Sequence, residues 1–118
     1  MNWKGIETKY KKALDKLVKS EFPDAKTIKT EYQSWICGIR IYTDKGSMVY
    51  YLRDLYDFFD KQGIYIQISV KCALDDSVWY LPYIWGEYIG EHLTDEDTRL
   101  RAEKAAFEKA FEILEKQL

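Results

Sequence analysis

The chain has 118 residues, a length that predicts one domain, 1–118, able to bury a core of its own. Its net charge of −2 excludes a polyanion-binding surface over the whole molecule, although residues 1–49 carry an excess of Lys and Arg and residues 50–118 an excess of acids. Aromatic residues make up 16% of the sequence, which argues against a disordered chain.

The first part of the chain predicts one helix and two strands. Apolar side chains between residues 5 and 21 recur at spacings of three and four, which is typical of an amphipathic helix, and Phe22-Pro23 ends it. The opposite side of this helix carries Lys9, Lys12, Lys16 and Lys19. Residues 26–33 and 35–43 follow as strands, and the second is apolar on both faces, which predicts a central strand. Residues 43–46 form a turn.

A second helix, a strand and a hairpin are predicted next. The helix begins at Ser47 or Tyr51 and ends at Lys61, and residues 48–51 could instead extend the preceding hairpin. Gly63 has the position of a left-handed helix stop. Residues 64–72 alternate in the manner of a strand. After a turn at 74–77, residues 78–91 form one or two strands, in which Pro82 predicts an edge strand or a bulge, because proline has no N–H.

The last predicted element is a helix from Asp95 to Lys116 with Thr94 as its N-cap. Its apolar stripe consists of Leu100, Phe107, Ala110, Phe111 and Leu114. The resulting order is α-β-β-α-β-β(-β)-α. This order predicts an α+β fold with a single mostly antiparallel sheet and helices packed on one face.

The segment WYLPYIWGEYIG, residues 79–90, is the richest in aromatic side chains. In a strand, Trp79, Leu81, Tyr83 and Trp85 share one face, and Tyr80, Pro82, Ile84 and Tyr88 share the other. One row is expected in the core. Helices on one side of the sheet would leave the other row exposed, and an exposed aromatic row is typical of a contact surface. The candidate interaction surface is Trp79, Tyr83, Trp85 and Tyr88. A protein partner or a homodimer fits it first, and a nucleic-acid or small-ligand platform second.

The sequence lacks the usual signatures of catalysis. His92 is the only histidine, and Cys37 and Cys72 are expected to be reduced thiols in the core. A zinc site needs about four Cys or His ligands, and no phosphate-binding glycine loop occurs. Asp75-Asp76 is explained by a turn and residues 95–97 by a helix start. We therefore expect no catalytic residues, no cofactor and no metal, and a non-enzymatic protein.

The lysine side of the first helix gives an alternative function. Lys9, Lys12, Lys16 and Lys19 could contact the phosphates of a nucleic acid. The order of elements also resembles double-stranded-RNA-binding domains in outline. Their last helix begins with basic residues, whereas here it begins TDEDTRLR. No signal-peptide pattern and no membrane-length apolar run is present, which predicts a cytoplasmic protein without membrane contact.

Residues 52–114 resemble small uncharacterised proteins of phages, prophages and mobile elements of Bacteroides-type bacteria. The resemblance is carried by LRDLYDFFDKQGIYIQISV, by the Trp/Tyr-rich strand pair and by AEKAAFEKAFEIL. It implies no activity and supplies no functional residues. It implies an accessory or host-interaction role.

Overall fold

The predicted N-terminal helix is two helices in the computed structural model, which describes residues 6–33 and 38–118. Helix α1 spans Ile6–Lys9 and helix α2 spans Lys11–Val18. Tyr10 separates them, because its φ of −125° and ψ of 49° are not helical. The buried side chains are Ile6, Ala13, Leu14, Leu17 and Val18. The amphipathic pattern is thus confirmed, and the uninterrupted helix is wrong.

The next three elements form an antiparallel sheet in the order β1-β2-β3. These strands span Ile28–Gln33, Gly38–Thr43 and Gly46–Tyr51. The central position of β2 is as predicted, while residues 34–37, including Cys37, lie outside the described residues. The predicted turn joins β2 to β3, so residues 48–51 extend the hairpin and are not helical.

Helix α3 spans Leu52–Lys61 and follows β3 without a loop. Asp54 accepts a 2.9 Å hydrogen bond from the backbone N–H of Tyr51, the residue before the helix. This bond, from the N–H of the residue before the helix to the third helical residue, is one half of a capping box and marks where the helix begins. Gly63, at φ +75°, has the predicted left-handed conformation after the helix end.

A second antiparallel sheet has the order β4-β5-β6. Its strands span Ile64–Cys72, Val78–Gly86 and Ile89–His92, and β4 has the predicted bounds. Pro82 lies in the central strand and not at an edge. Its carbonyl accepts a bond from Leu93 just after β6 ends, and Tyr80 exchanges two bonds with Glu96. Tyr80 and Pro82 are two positions apart along β5, whereas their partners, Leu93 and Glu96, are three positions apart. The segment after β6 therefore has one extra residue opposite the proline and forms a bulge there.

Helix α4 spans Arg99–Gln117 and begins four residues later than predicted. Thr98 is its N-cap: its hydroxyl accepts the N–H of Arg101 at 3.2 Å. Thr94 cannot cap the helix, because Glu96 is bonded to β5. The contacts of α4 include Arg99 with the Tyr80 ring, Phe107 with Phe59, and Lys109 with Glu91. No helix of the described ranges combines the length and apolarity needed to cross a membrane.

The molecule is therefore α+β, with two three-stranded sheets where one sheet was expected. Each sheet is built from three strands that are consecutive in the chain, and α3 lies between the two sets in sequence. The chain divides into two compact units. The central unit contains residues 59–110, and the terminal unit contains the described residues before 59 and after 110. The number of domains stays a prediction.

Candidate interaction surface

The sheet of the central unit has a buried face and an open face. Ile64, Pro82 and Ile84 are fully buried on one side. The register places alternate residues of all three strands on the other side. That open side carries Tyr65, Gln67, Ser69, Lys71, Trp79, Leu81, Tyr83, Trp85 and His92. We call Tyr65, Trp79, Tyr83, Trp85 and His92 the aromatic face.

Tyr65 and Trp85 form one end of the aromatic face. They lie directly opposite each other on β4 and β5. Their ring centroids are 4.7 Å apart and their planes are inclined by 30°. The residues nevertheless remain 38% and 50% exposed. Each ring restrains the other, so this apolar surface is ordered before anything binds it.

Trp79 is held at the other end of β5 by a relay of hydrogen bonds. Its indole Nε1–H donates to Oγ of Ser77 at 3.0 Å, and this hydroxyl donates to Oδ1 of Asp75 at 2.6 Å. The bonds from the Ser77 hydroxyl and backbone N–H hold the pKa of Asp75 below its ordinary value. The turn thus fixes the direction of the indole ring, which is 37% exposed.

His92 completes the aromatic face from β6. It lies opposite Tyr83, and the two rings stack with centroids 4.5 Å apart and planes within 16°. The imidazole Nε2 lies 3.1 Å from Oδ1 of Asp95. The candidate surface predicted from the sequence did not include His92. The signal that could have placed it was the pairing of a second strand with β5, which sets His92 opposite Tyr83 and on the same face of the sheet.

Tyr88 is separated from the other three predicted surface residues. Trp79, Tyr83 and Trp85 share the aromatic face, whereas Tyr88 lies in the two-residue turn between β5 and β6. It is 98% exposed and has a φ of +62°, a left-handed conformation that is unusual for a tyrosine. Strand parity does not extend through this turn.

The β4–β5 hairpin is apolar at its tip as well. Val70 is 55% exposed, and Leu74, at the turn, is fully exposed. Cys72 is a free and exposed cysteine, so its expected burial is wrong. On the same side of the sheet, Ile64 is buried whereas Val70 and Cys72 are exposed, so the burial of this side ends before the turn.

The structure places the four predicted lysines on exposed positions of the terminal unit. Lys9 belongs to α1, Lys12 and Lys16 to α2, and Lys19 is the C-cap of α2. The helix break at Tyr10 separates Lys9 from the other three. Within the described chain, none of the four forms a salt bridge.

Other chemistry has little support in the described residues. No group of three or more His, Cys, Asp or Glu side chains in residues 6–33 and 38–118 is arranged to hold a metal ion. The hydrogen bond of His92 to Asp95 is not joined by a hydroxyl or thiol of any described residue, so a nucleophile–base pair is not assembled there. A depression of the terminal unit, lined by Glu7, Lys11, Leu14, Asp15, Lys26 and Ile28, measures about 50 Å³. Small-molecule pockets usually measure about 300–1,000 Å³.

Comparison of the chain with protein-family models, with curated proteins and with solved structures found no match. The resemblance of residues 52–114 to phage and mobile-element proteins stays a prediction. The residues of this chain are thus the basis for assigning a function.

Proposed function

We propose that the chain is a non-enzymatic binding protein whose aromatic face receives an apolar surface of a protein partner. The observation that carries the proposal is the exposure of Trp79, Tyr65 and Trp85, at 37%, 38% and 50%, on one side of a single sheet. Large apolar rings gathered on an open face leave contiguous apolar area in water, and such patches mark interaction sites.

The composition of this face is that of a protein interface. Tyr and Trp supply much of the binding energy in such interfaces, while polar side chains surround them. Here Gln67, Ser69 and Lys71 accompany the aromatic rings on the same face. The ring pairs and the Trp79 relay restrain the side chains before binding, so association costs less conformational entropy.

Site-specific photo-cross-linking tests the proposal. A photoreactive phenylalanine is placed at Trp85 in cells that produce the chain naturally, and the matched control carries it at Tyr42, an exposed aromatic residue of the terminal unit. We expect a defined protein adduct from position 85 and none from position 42. Equal adducts from both positions, or no protein adduct from position 85, would contradict the proposal.

The purified partner then allows a quantitative test. Trp85→Ser should weaken binding by about 2 kcal/mol or more, about thirtyfold in affinity, because aromatic side chains that become buried on binding dominate such interfaces. Tyr42→Ser should leave the affinity unchanged. Titration calorimetry measures both. Equal affinities of the wild-type protein and the Trp85→Ser variant would mean that the partner binds elsewhere.

Nucleic-acid binding is the second candidate, favoured by the exposure of Lys9, Lys12, Lys16 and Lys19. Phosphate contacts by lysines release counterions, so binding would weaken steeply as salt concentration rises. Titration of labelled duplex and single-stranded oligonucleotides with the wild-type protein and with a Lys12→Gln/Lys16→Gln variant tests this candidate. Binding that is absent, or equal in both proteins, removes it.

A further inference from the structure

Strand β4 is an edge strand whose outer backbone groups have no partner within the described residues. Tyr80 exchanges two backbone bonds with Glu96, and the carbonyl of Pro82 accepts a bond from Leu93. Even-numbered residues of β5 thus direct their backbone groups away from β4. The backbone groups of the odd-numbered residues of β5 point toward β4, and they bond to the odd-numbered residues of β4 with which the register pairs them. The N–H and C=O groups of Ile66, Ile68 and Val70 consequently point to the open edge.

This edge lacks the features that usually prevent strand addition. It is nine residues long and contains no proline or glycine, and Lys71 is its only charged residue. Natural edge strands are commonly short, charged, bulged or covered, because an open ladder of N–H and C=O groups pairs readily with another chain. We therefore expect the unpaired N–H and C=O groups of this edge to bond to a specific partner strand.

We propose that a second copy of the chain covers it, through antiparallel pairing of the two β4 strands about a two-fold axis at Ile68. In that register Ile68 faces Ile68 of the second copy, and Ile66 faces Val70. On the open face of the sheet, Tyr65 faces Lys71 and Gln67 faces Ser69. These are apolar, cation–π and hydrogen-bonding pairs, and no two like charges meet. The strand is therefore complementary to itself, as an isologous interface requires.

The product is a six-stranded antiparallel sheet in which the aromatic faces of two copies lie side by side. The dimer is held by backbone groups at the β4 edge, whereas a protein partner contacts the rings of the aromatic face, and Tyr65 alone belongs to both. The dimer would therefore form whether or not that face binds a protein. A monomer would overturn the dimer and leave the proposed function standing.

Amide hydrogen exchange along β4, measured by NMR, gives a residue-by-residue test. The amides of Gln67 and Ser69 bond to β5 and should be protected at every concentration. The amides of Ile66, Ile68 and Val70 should be protected only in the dimer, so their exchange should accelerate on dilution. Free exchange at these three positions in a concentrated sample, or protection that does not change with concentration, would overturn the proposal.

A proline at the edge provides the matched variants. Val70→Pro removes an outward N–H without removing a bond to β5, whereas Val70→Thr retains that N–H. Two cross-edge bonds are lost per dimer, so we expect Val70→Pro to raise the dimer dissociation constant at least about tenfold, and Val70→Thr to change it little. Analytical ultracentrifugation measures both constants. A monomeric wild-type protein, or a Val70→Pro dimer of unchanged affinity, excludes the β4 interface. If Val70→Pro does not fold, the wild-type exchange data decide.

Discussion

The imidazole of His92 stacks on the phenol ring of Tyr83, with the ring centroids 4.5 Å apart. The two residues are partners in the β5–β6 ladder, and Nε2 of the imidazole lies 3.1 Å from Oδ1 of Asp95. Strand β6 has only four residues, yet it supplies a ring that covers part of Tyr83. The short strand is therefore part of the aromatic face and not merely its border.

Replacing His92 by alanine should lower the free energy of unfolding by about 1 kcal/mol, because a stacked ring pair is lost. His92→Phe keeps a ring opposite Tyr83 and should retain most of that stability, although it loses the bond to Asp95. Urea denaturation of the three proteins measures the differences. A His92→Ala variant as stable as the wild type would show that the stack contributes nothing.

The carboxylate of Asp75 should make stability depend on pH. Its bonds to the hydroxyl and backbone N–H of Ser77 lower the pKa in the folded state. A depressed folded pKa stabilises the fold above the unfolded pKa of about 3.9, and this contribution is lost as the pH falls through the folded value. Asp75→Ala should therefore lower the Tm at neutral pH, by a margin that shrinks below about pH 4.

Thermal unfolding across a pH series measures that margin. Asp24→Ala is the matched control, because Asp24 is an exposed aspartate outside any helix or strand. It should unfold like the wild type at every pH. A constant difference between Asp75→Ala and the wild type from neutral to acid pH would mean that the Asp75 charge is not responsible.

Local patterns in the sequence predicted the elements whose ends are fixed locally. Strand β4 has its predicted bounds because its alternation of β-branched and polar residues is uninterrupted from Ile64 to Cys72. The common face of Trp79, Tyr83 and Trp85 followed from the two-residue period of a strand. Tyr88 was misplaced because it lies in the turn between β5 and β6, where that period ends.

Pairing between residues far apart in the sequence determines where the last helix begins and how the strands divide into sheets, and local sequence patterns do not predict either. The last helix begins at Arg99 because Glu96 pairs with Tyr80, sixteen residues earlier, and Thr98 becomes the cap. A single sheet was expected because the order of elements does not reveal which strand edges pair. Only the backbone bonds show that β3 and β4 belong to different sheets.

Glu115 caps helix α2 from a distant part of the sequence, so no local sequence pattern predicts this cap. The side chain of Tyr10, the N-cap residue of α2, makes no capping bond, and instead Oε1 of Glu115 accepts the N–H of Ala13 at 2.9 Å. Glu115→Ala should lower the free energy of unfolding by about 1 kcal/mol, and Glu115→Gln by less, since its carbonyl oxygen can still accept. Gln117→Ala, at an exposed site of the same helix, should have little effect. Denaturant titration distinguishes them, and equal stabilities of Glu115→Ala and Gln117→Ala would exclude the capping role.

Tyr88 should be replaceable by glycine with a gain in stability. Its φ of +62° costs a residue with a side chain about 1 kcal/mol, and at 98% exposure its ring gains almost no packing in return. Tyr88→Gly removes that strain and should raise the free energy of unfolding by up to about 1 kcal/mol. Tyr42→Gly, in the interior of β2, should lower it, because glycine weakens a strand. Chemical denaturation measures both, and a destabilised Tyr88→Gly protein would show that the tyrosine makes a stabilising contact in the folded state.

If the variant is more stable and also binds the partner of the aromatic face more weakly, the strained tyrosine belongs to the binding surface.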